Sequence, residues 1–220
     1  MPPHLISELA ELESYVISKS NTKDYVQHKH GANGGMNLGI SVVSGGVHAE
    51  KSKNISGSIH YSSVIKKYPE LRERLYSIIK EILDTVYGHC TWYRRMCLIT
   101  EKLNYDSNEE RTIPGIPVSG IWLNTNPKTE KVHCDANVVG PTFLLTTKAS
   151  EGGNLIMCTS SRKLMKVKLK PNMIVAGKWA QHAHCNTKVN SKGRASWTIY
   201  LDWRVFSSNY VCKTPKGFQF

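Results

Sequence analysis

Residues 194–203, RASWTIYLDW, carry the clearest strand pattern in the sequence. Apolar residues occupy every second position, and the positions between them are polar. Because successive side chains of a β-strand point to opposite faces, the pattern predicts one apolar face and one polar face. In a sandwich that houses a site, the polar face can line a cavity, with Arg194 as a buried anchor. The polar members are Arg194, Ser196, Thr198, Tyr200 and Asp202.

Five shorter apolar runs, separated by Gly, Pro and Asn, predict further strands upstream of this stretch. They lie beyond residue 93, where the apolar spacing changes from a helical period to a period of two. The runs are Met96–Ile99, Gly120–Leu123, Thr142–Leu145, Leu155–Met157 and Met173–Val175.

Two amphipathic helices are predicted before residue 93. Apolar residues recur at helical spacing over residues 5–17. A second helix is predicted to start near Pro69, which suits a first helical turn, and to continue to Tyr87. Between them, residues 27–59 are rich in glycine, which favours loops and short strands.

Helices followed by many short strands predict an α+β, mainly β, fold. We predict a double-stranded β-helix, the cupin-like jelly roll, braced on one face by N-terminal helices. The length of 220 residues and the 40% hydrophobic content suit one domain. Within it, we assign the helices and glycine-rich segment to residues 1–92 and the jelly-roll core to residues 93–220.

The charge of the chain predicts its class of partner. Twenty-nine Lys and Arg residues stand against 17 acids, giving a net charge of +12, which attracts polyanions such as nucleic acid or an acidic membrane surface. No apolar stretch approaches the roughly 20 residues of a membrane span. The N-terminal residues lack the pattern of a secretory signal, so we expect an intracellular protein.

The cysteines indicate neither a zinc knuckle nor a disulfide framework. There are six in the chain, and no two of them form a C-x-x-C pair. We therefore expect reduced thiols in the core.

A candidate metal site begins at His133-Cys134-Asp135. Along a strand, residues i and i+2 project the same way, so His133 and Asp135 can reach one metal while Cys134 points away. An iron(II) that also binds dioxygen and an oxo acid needs two histidines and one carboxylate, with three positions left open. The second histidine is His182 or His184, and both remain candidates because they too are two residues apart.

Arg194 is the candidate anchor for an acidic co-substrate. It follows His184 by ten residues and His182 by twelve, and either gap allows a turn and a return on the neighbouring strand. A guanidinium can hold the far carboxylate of 2-oxoglutarate in a bidentate pair, and Ser196 could add a hydrogen bond. The pattern is typical of a non-haem iron(II) oxygenase that uses 2-oxoglutarate.

From Val132 to Arg204 the sequence resembles the core of the TET and J-binding protein (JBP) branch of these oxygenases. The resemblance rests on HCDAN, EGGNLIM, LKPNMIVAG, HCNTKV and GRASW and covers about a third of the chain. Two positions depart from the pattern of the branch. Asn154 replaces the acid common after Gly-Gly, and Asn172 follows Pro171 where glycine is usual.

By position, the resemblance implies that His133, Asp135 and His184 are the iron ligands. His184 is favoured because HCNTKV aligns with the family's distal histidine motif. His182 would then lie either behind the metal ligands or beside the substrate.

The resemblance also implies the other site residues and the reaction. Arg194 and Ser196 would bind 2-oxoglutarate, and Asn137 would contact the substrate. The activity would be that of an Fe(II)/2-oxoglutarate-dependent dioxygenase, with dioxygen as co-substrate and ascorbate as a candidate reductant. It would oxidise the 5-methyl group of 5-methylcytosine or thymine in DNA rather than RNA, and so act in the nucleus.

A methyl group inside a duplex cannot reach such a site, so the nucleotide must be flipped out or already unpaired. Residues 33–35 and the basic run 162–170 are candidates for gripping the backbone. The lysines of that run alternate with apolar residues, as they also would on an ordinary solvated strand face.

Three alternatives stay open. The chain could be a related iron oxygenase that hydroxylates a protein side chain or a small molecule, because one fold serves many substrates. Arg194 would suit another small acid as co-substrate. A non-catalytic cupin-like binding module could use the histidines structurally.

Overall fold

The computed structural model of the chain describes residues 2–20, 34–43, 58–61, 66–108, 110–125, 131–135, 138–148, 151–159, 161–189 and 194–206. Its described part contains three α-helices of 17 residues or more. None of these is long and apolar enough to cross a membrane. The helices are α1 (Pro3–Ser20), α2 (Pro69–Tyr87) and α3 (Thr91–Ser107).

Helices α1 and α2 confirm the two helices predicted from the sequence. In α1, Leu5, Leu9 and Leu12 are buried, as their spacing requires. Pro69 lies in the first turn of α2, where its missing N–H has no helical partner to lose.

Helix α3 corrects the prediction of a strand at Met96–Ile99. Met96 and Leu103 are buried while Leu98 is 66% exposed, which is the spacing of a helix rather than of a strand. A run of four apolar residues fits either structure, and here the longer helical pattern decides. The division at residue 93 is therefore not the border between helices and strands.

The strands form three antiparallel sheets within the described residues. The large sheet has the order β1-β4-β10-β5-β8, the small sheet has the order β7-β6-β9, and β2 pairs with β3. The strands are β1 (Gly34–Asn37), β2 (Ile40–Val43), β3 (Ser58–Tyr61), β4 (Gly120–Thr125), β5 (Val138–Lys148), β6 (Leu155–Cys158), β7 (Leu164–Val167), β8 (Met173–Gly177), β9 (His184–Asn186) and β10 (Ala195–Asp202).

The two larger sheets enclose a cavity, since residues of both line it. This arrangement confirms the mainly β, jelly-roll fold class. Strand β1 belongs to the large sheet, so the core recruits a strand from the segment that we assigned to residues 1–92.

Strand β10 lies at the centre of the large sheet, between β4 and β5. Trp197 and Ile199 are fully buried and pack in one cluster with residues of α1 and α2 such as Leu9 and Ile79. Leu201 is buried in a separate cluster with residues of α3. Fully burying such a side chain stabilises the fold by about 1.5–3 kcal/mol. The helices therefore cover the apolar face, and the polar face of β10 turns toward the cavity.

None of the described cysteines is fully buried, although Cys90 and Cys97 pack against the main core. Cys134 is exposed, and no disulfide joins the described cysteines. The other four, Cys90, Cys97, Cys158 and Cys185, are partly buried.

Candidate metal centre and its cavity

Backbone pairing brings His133 and His184 together. The His133 N–H donates to the His184 carbonyl at 3.0 Å, and the His184 N–H donates to the His133 carbonyl at 2.8 Å. Strand β9, which begins at His184, pairs in turn with β6 at Met157. The centroids of the two imidazole rings are 4.4 Å apart. Their proximity is thus fixed by the sheet and not only by side-chain rotamers.

Asp135 completes the cluster. Its backbone N–H donates to the Trp179 carbonyl at 3.1 Å. Its Oδ1 lies 3.6 Å from Nε2 of His133 and 3.5 Å from Nε2 of His184. The three ligand atoms all lie within 4.8 Å of one another. Adjacent ligands of an octahedral metal with bonds of about 2.1 Å are about 3 Å apart, so the donors fit one ion after a small inward shift.

The histidine rings are oriented by backbone carbonyls. Nδ1 of His133 lies 2.8 Å from the Lys131 carbonyl, and Nδ1 of His184 lies 3.0 Å from the His182 carbonyl. A carbonyl only accepts, so each Nδ1 carries the proton and each Nε2 presents its lone pair. This is the way that metal-binding histidines are usually held.

Trp179 packs against the metal cluster, a role that the sequence analysis did not predict. Its ring centroid is 4.9 Å from that of His184, and its Nε1 donates to the Thr142 carbonyl at 2.9 Å. A Cβ at Gly177 would come within 2.9 Å of the indole ring. The pair Gly177-x-Trp179, directly after a predicted strand, was the signal for this close packing.

The structure groups His184, and not His182, with His133 and Asp135. Strand β9 starts at His184, so His182 lies in the preceding turn and the strand rule of alternate faces does not apply to it. His182 is also not one of the residues that line the cavity. Its contact with a substrate stays a prediction, and Asn137 lies outside the described residues.

A cavity of about 320 Å³ adjoins the metal cluster. Small-molecule sites have volumes of this order and larger. The polar face of β10 forms one wall, which confirms the role predicted for that face. These residues are Ser196, Thr198, Tyr200 and Asp202, and Arg194, which directly precedes β10, continues the wall.

Arg194 and Ser196 are buried, at 3% and 2% exposure. Nη1 of Arg194 donates to the Gly153 carbonyl at 2.6 Å. A Cβ at Gly153 would lie 2.1 Å from that nitrogen, and the φ of Gly153 is +62°. Gly153 of the EGGN segment therefore leaves the space that the guanidinium occupies, whereas a Cβ at Gly152 would meet the Lys188 carbonyl.

Farther along β10, the cavity is lined by a phenol and an ion pair. Nε of Arg204 donates to Oδ1 and Oδ2 of Asp202 at 2.9 and 3.0 Å, and Nη2 of Arg204 also donates to Oδ2. Burial raises the pKa of Tyr200 to about 12, and the Asp202 carboxylate adds to the shift. The hydrogen bond to Asp202 likewise raises the pKa of Arg204. Tyr200 is thus a neutral hydrogen-bond donor at neutral pH.

Comparison with known proteins supports the fold. No protein-family model and no curated protein matches the sequence. The structure resembles NgTET1 in complex with 5mC DNA, with a TM-score of 0.60 and 15% identity over 94% of this chain and 71% of that chain. It also resembles a prolyl hydroxylase in complex with a hypoxia inducible factor peptide fragment from Trichoplax adhaerens, with a TM-score of 0.51 and 12% identity over 94% of this chain and 84% of that chain. The resemblance to the TET branch is thereby confirmed at the level of the fold.

Proposed function

We propose that this chain is an Fe(II)/2-oxoglutarate-dependent dioxygenase. One observation carries the proposal: His133, Asp135 and His184 meet within 4.8 Å beside a cavity that also holds the buried Arg194. Two histidines and one carboxylate on one side of an iron(II) leave positions for the oxo acid and for dioxygen. The fold shared with NgTET1 agrees with this assignment.

The donor set fits iron(II). His133 and His184 would each bind through Nε2, because their Nδ1 atoms are held by the carbonyls of Lys131 and His182. Asp135 would bind through a carboxylate oxygen. When bound there, iron(II) supplies the oxidative decarboxylation of 2-oxoglutarate and the attack on an unactivated C–H bond, chemistry that protein side chains cannot perform.

The task of Arg194 is to receive the far carboxylate of 2-oxoglutarate. The hydrogen bond to Gly153 fixes the plane of its guanidinium, and that planar group pairs with a carboxylate bidentately. Ser196, on the same wall, would donate a hydrogen bond to the acid. With the far carboxylate held by these two residues, the oxo-acid end of 2-oxoglutarate would point toward the metal ligands.

The substrate that we propose is the 5-methyl group of 5-methylcytosine or thymine in DNA. The net charge of +12 favours a polyanion, and NgTET1, whose fold the chain shares, was solved in complex with 5mC DNA. Tyr200 and the Asp202–Arg204 pair would supply donors and acceptors for the edge of a flipped base. Such a reaction would place the protein where DNA is kept, in the nucleus of a eukaryote.

Nucleoside mass spectrometry tests this function. The full chain is loaded with iron(II), 2-oxoglutarate and ascorbate and incubated in air with a methylated duplex, its unmethylated counterpart and a single strand. We expect oxidised 5-methyl nucleosides together with succinate, and neither product from the His133→Ala variant.

Two other outcomes would decide against parts of the proposal. Succinate formation with a peptide or small metabolite, and with no nucleic acid, would keep the oxygenase but reject the DNA substrate. A folded protein that binds neither iron(II) nor 2-oxoglutarate would reject the enzyme itself.

A further inference from the structure

The hairpin of β6 and β7, together with the three residues that follow it, carries a concentration of positive charge. Five of the nine residues from 162 to 170 are cationic and none is acidic. All five are exposed, and none forms an ion pair with another residue in the part of the chain that the structure describes. The five are Arg162, Lys163, Lys166, Lys168 and Lys170.

An exposed apolar pair lies within this basic segment. Leu164 is 79% exposed and Met165 is 44% exposed. Strand β7 is an edge strand of the small sheet, and lysines on such an edge prevent unwanted pairing. That role explains Lys166 but not a leucine and a methionine held in water. Because adjacent residues of a strand point to opposite faces, the two side chains do not form one patch, and the more exposed Leu164 lies at the end of β7 beside the turn.

The register of the small sheet relates this pair to the metal cluster. Met165 is paired with Met157, Met157 with His184, and His184 with His133, so all four lie in one row across the sheet. Strands are about 4.8 Å apart, which puts the Cα of Met165 roughly 10 Å from that of His184. Leu164 is the next residue toward the turn.

The turn of the hairpin and Arg194 lie at opposite ends of β6. Gly153, which contacts Arg194, lies beyond the other end of β6, so Arg194 and the turn are on opposite sides of the row that contains His184. Arg194 is 3% exposed, whereas the side chain of His133 is 40% exposed. Access is therefore from the metal side.

The described residues of the turn are linked by hydrogen bonds. The Thr159 N–H donates to the Lys163 carbonyl at 2.9 Å, and the Arg162 N–H donates to the Thr159 carbonyl at 2.8 Å. The Thr159 hydroxyl donates to the Lys163 carbonyl at 3.1 Å. Arg162 takes the left-handed conformation, with a φ of +59°. These bonds hold the backbone of Lys163, the residue before Leu164, at the end of the hairpin.

We propose that this hairpin engages duplex nucleic acid beside the target base, with Arg162, Lys163 and Lys166 on the phosphates and Leu164 against the base step that a flipped nucleotide leaves. The inference rests on the proposed function, and it adds the strand form of the substrate and the element that opens it. Phosphate contacts hold a protein in register on a duplex, and apolar side chains inserted at a base step offset the cost of unstacking. A duplex offers phosphates for the basic side chains and a base step for the apolar side chain, so it suits both features of the hairpin.

The salt dependence of binding tests the cations. Affinity for a methylated duplex is measured anaerobically with iron(II) and 2-oxoglutarate over a salt series, for the wild type and for Lys163→Ala/Lys166→Ala. Each lost phosphate contact lowers the slope of log K against log salt by about one, so we expect a reduction of about two and a weakening of roughly tenfold or more. The matched control, Lys66→Ala/Lys102→Ala, removes the same charge elsewhere and should retain the wild-type slope.

The comparison of duplex and single strand tests Leu164. We expect Leu164→Ala to lower the oxidation rate on a duplex by about tenfold, because the wedge no longer offsets unstacking. The rate on an unpaired target should change by less than about twofold, since nothing needs to be opened. Leu98→Ala, which truncates an exposed leucine on α3, is the matched control.

The failures of the two proposals can be told apart. Oxidation of DNA by the wild type, with equal salt slopes for both lysine pairs or equal effects of Leu164→Ala on duplex and single strand, would overturn the hairpin proposal alone. A lysine effect on duplex binding, without oxidation of any nucleic acid, would support the hairpin as a binding element and reject the proposed reaction. Binding of an acidic protein in place of DNA would overturn both.

Discussion

His182 and His184 differ in what their rings can reach, although only one residue separates them. The ring of His184 packs against Trp179 and faces Asp135, whereas His182 contributes its carbonyl to the Nδ1 of His184. A substitution changes the side chain and leaves that carbonyl in place. Substitution of each histidine in turn therefore tests the role of its ring.

We predict that His184→Ala abolishes iron(II) binding and lowers turnover by about a hundredfold or more, because one of three ligands is lost. His182→Ala should keep the metal and change turnover by less than about threefold. Anaerobic titration with iron(II) and 2-oxoglutarate, followed by the weak visible charge-transfer band, measures metal binding in both variants. Succinate formation in air measures their turnover. Retention of the band in His184→Ala, with its loss in His182→Ala, would reverse the assignment.

Gly153 offers a test of the Arg194 anchor. We predict that Gly153→Ala destabilises the fold by about 1–3 kcal/mol and weakens 2-oxoglutarate binding, because the new Cβ is strained at a φ of +62° and meets the guanidinium. Gly140→Ala is the matched control, since its φ is +73° but nothing lies within 4 Å of its Cβ position.

Chemical denaturation and co-substrate titration separate the two contributions at Gly153. Both variants should lose stability, because alanine is strained at a positive φ. Only Gly153→Ala should lose affinity for the acid, and an equal loss in Gly140→Ala would contradict the role of Gly153 in placing Arg194.

Tyr200 makes a pH-dependent contribution to stability. Its pKa is raised to about 12 from the ordinary value of 10, so between these values the unfolded chain loses a proton that the folded chain keeps. The stabilisation is fully present below pH 10 and is lost as the pH rises to 12. We predict that the wild type loses about 3 kcal/mol more than Tyr200→Phe over this range, measured by denaturant unfolding. If the free energies of unfolding of the wild type and Tyr200→Phe changed equally with pH, the pKa of Tyr200 would not be raised by burial.

At the scale of elements, α1 braces the large sheet through more than apolar contact. Glu13 of α1 is fully buried, accepts a hydrogen bond from Thr147 and lies 3.3 Å from Nζ of Lys148, both of β5. Leu9 is fully buried in the same helix. The helix is therefore part of the support for the sheet that carries Arg194.

We predict that Leu9→Ala lowers the free energy of unfolding by about 2–5 kcal/mol, the cost of a cavity in a packed core. Leu98→Ala removes the same atoms from an exposed position of α3 and should cost less than about 0.5 kcal/mol. Urea denaturation of both variants provides the measurement. Equal costs would mean that α1 is not a cooperative part of the fold.

Local sequence patterns predicted the elements whose period is long and regular. Strand β10 alternates over eight residues and α1 repeats its leucines, so each was identified with its buried face. The four apolar residues from Met96 to Ile99 fit both periods, and the prediction of a strand there was wrong. Asn172 shows the opposite case, since its φ of +62° is a conformation that asparagine tolerates, and the turn formed without the usual glycine.

The metal cluster could be predicted only in part, because long-range pairing completes it. The H-x-D motif identified His133 and Asp135 as neighbours. The choice between His182 and His184 depends on where β9 begins, which is set by pairing with β6 and with residue 133. Trp179 was missed because its contact with His184 arises from packing, which a periodic pattern does not encode.

At the scale of the whole molecule, the two parts of the proposed site belong to different sheets. Arg194 directly precedes β10 of the large sheet, whereas His184 lies on β9 of the small sheet and pairs with His133. The large sheet is supported by the helices through the main core, and Leu155, Met157 and Trp179 form a separate cluster near the small sheet. A ligand that contacts both the metal and Arg194 would therefore connect the two sheets.

This connection predicts a stepwise gain in thermal stability. Manganese(II), a redox-stable probe of the iron site, should raise Tm by itself, and 2-oxoglutarate should add a second increment only when the metal is present. At a hundredfold excess over Kd, each ligand contributes about 2.7 kcal/mol, or roughly 5–10 °C in a chain of this length.

Two variants separate the contributions of the metal and the acid. Arg194→Lys keeps the charge but loses the bidentate fork, so it should retain the Tm increment from the metal and lose most of the increment from 2-oxoglutarate. His133→Ala should lose both. An increment from 2-oxoglutarate without metal, or one that survives in Arg194→Lys, would show that the acid does not bridge the sheets.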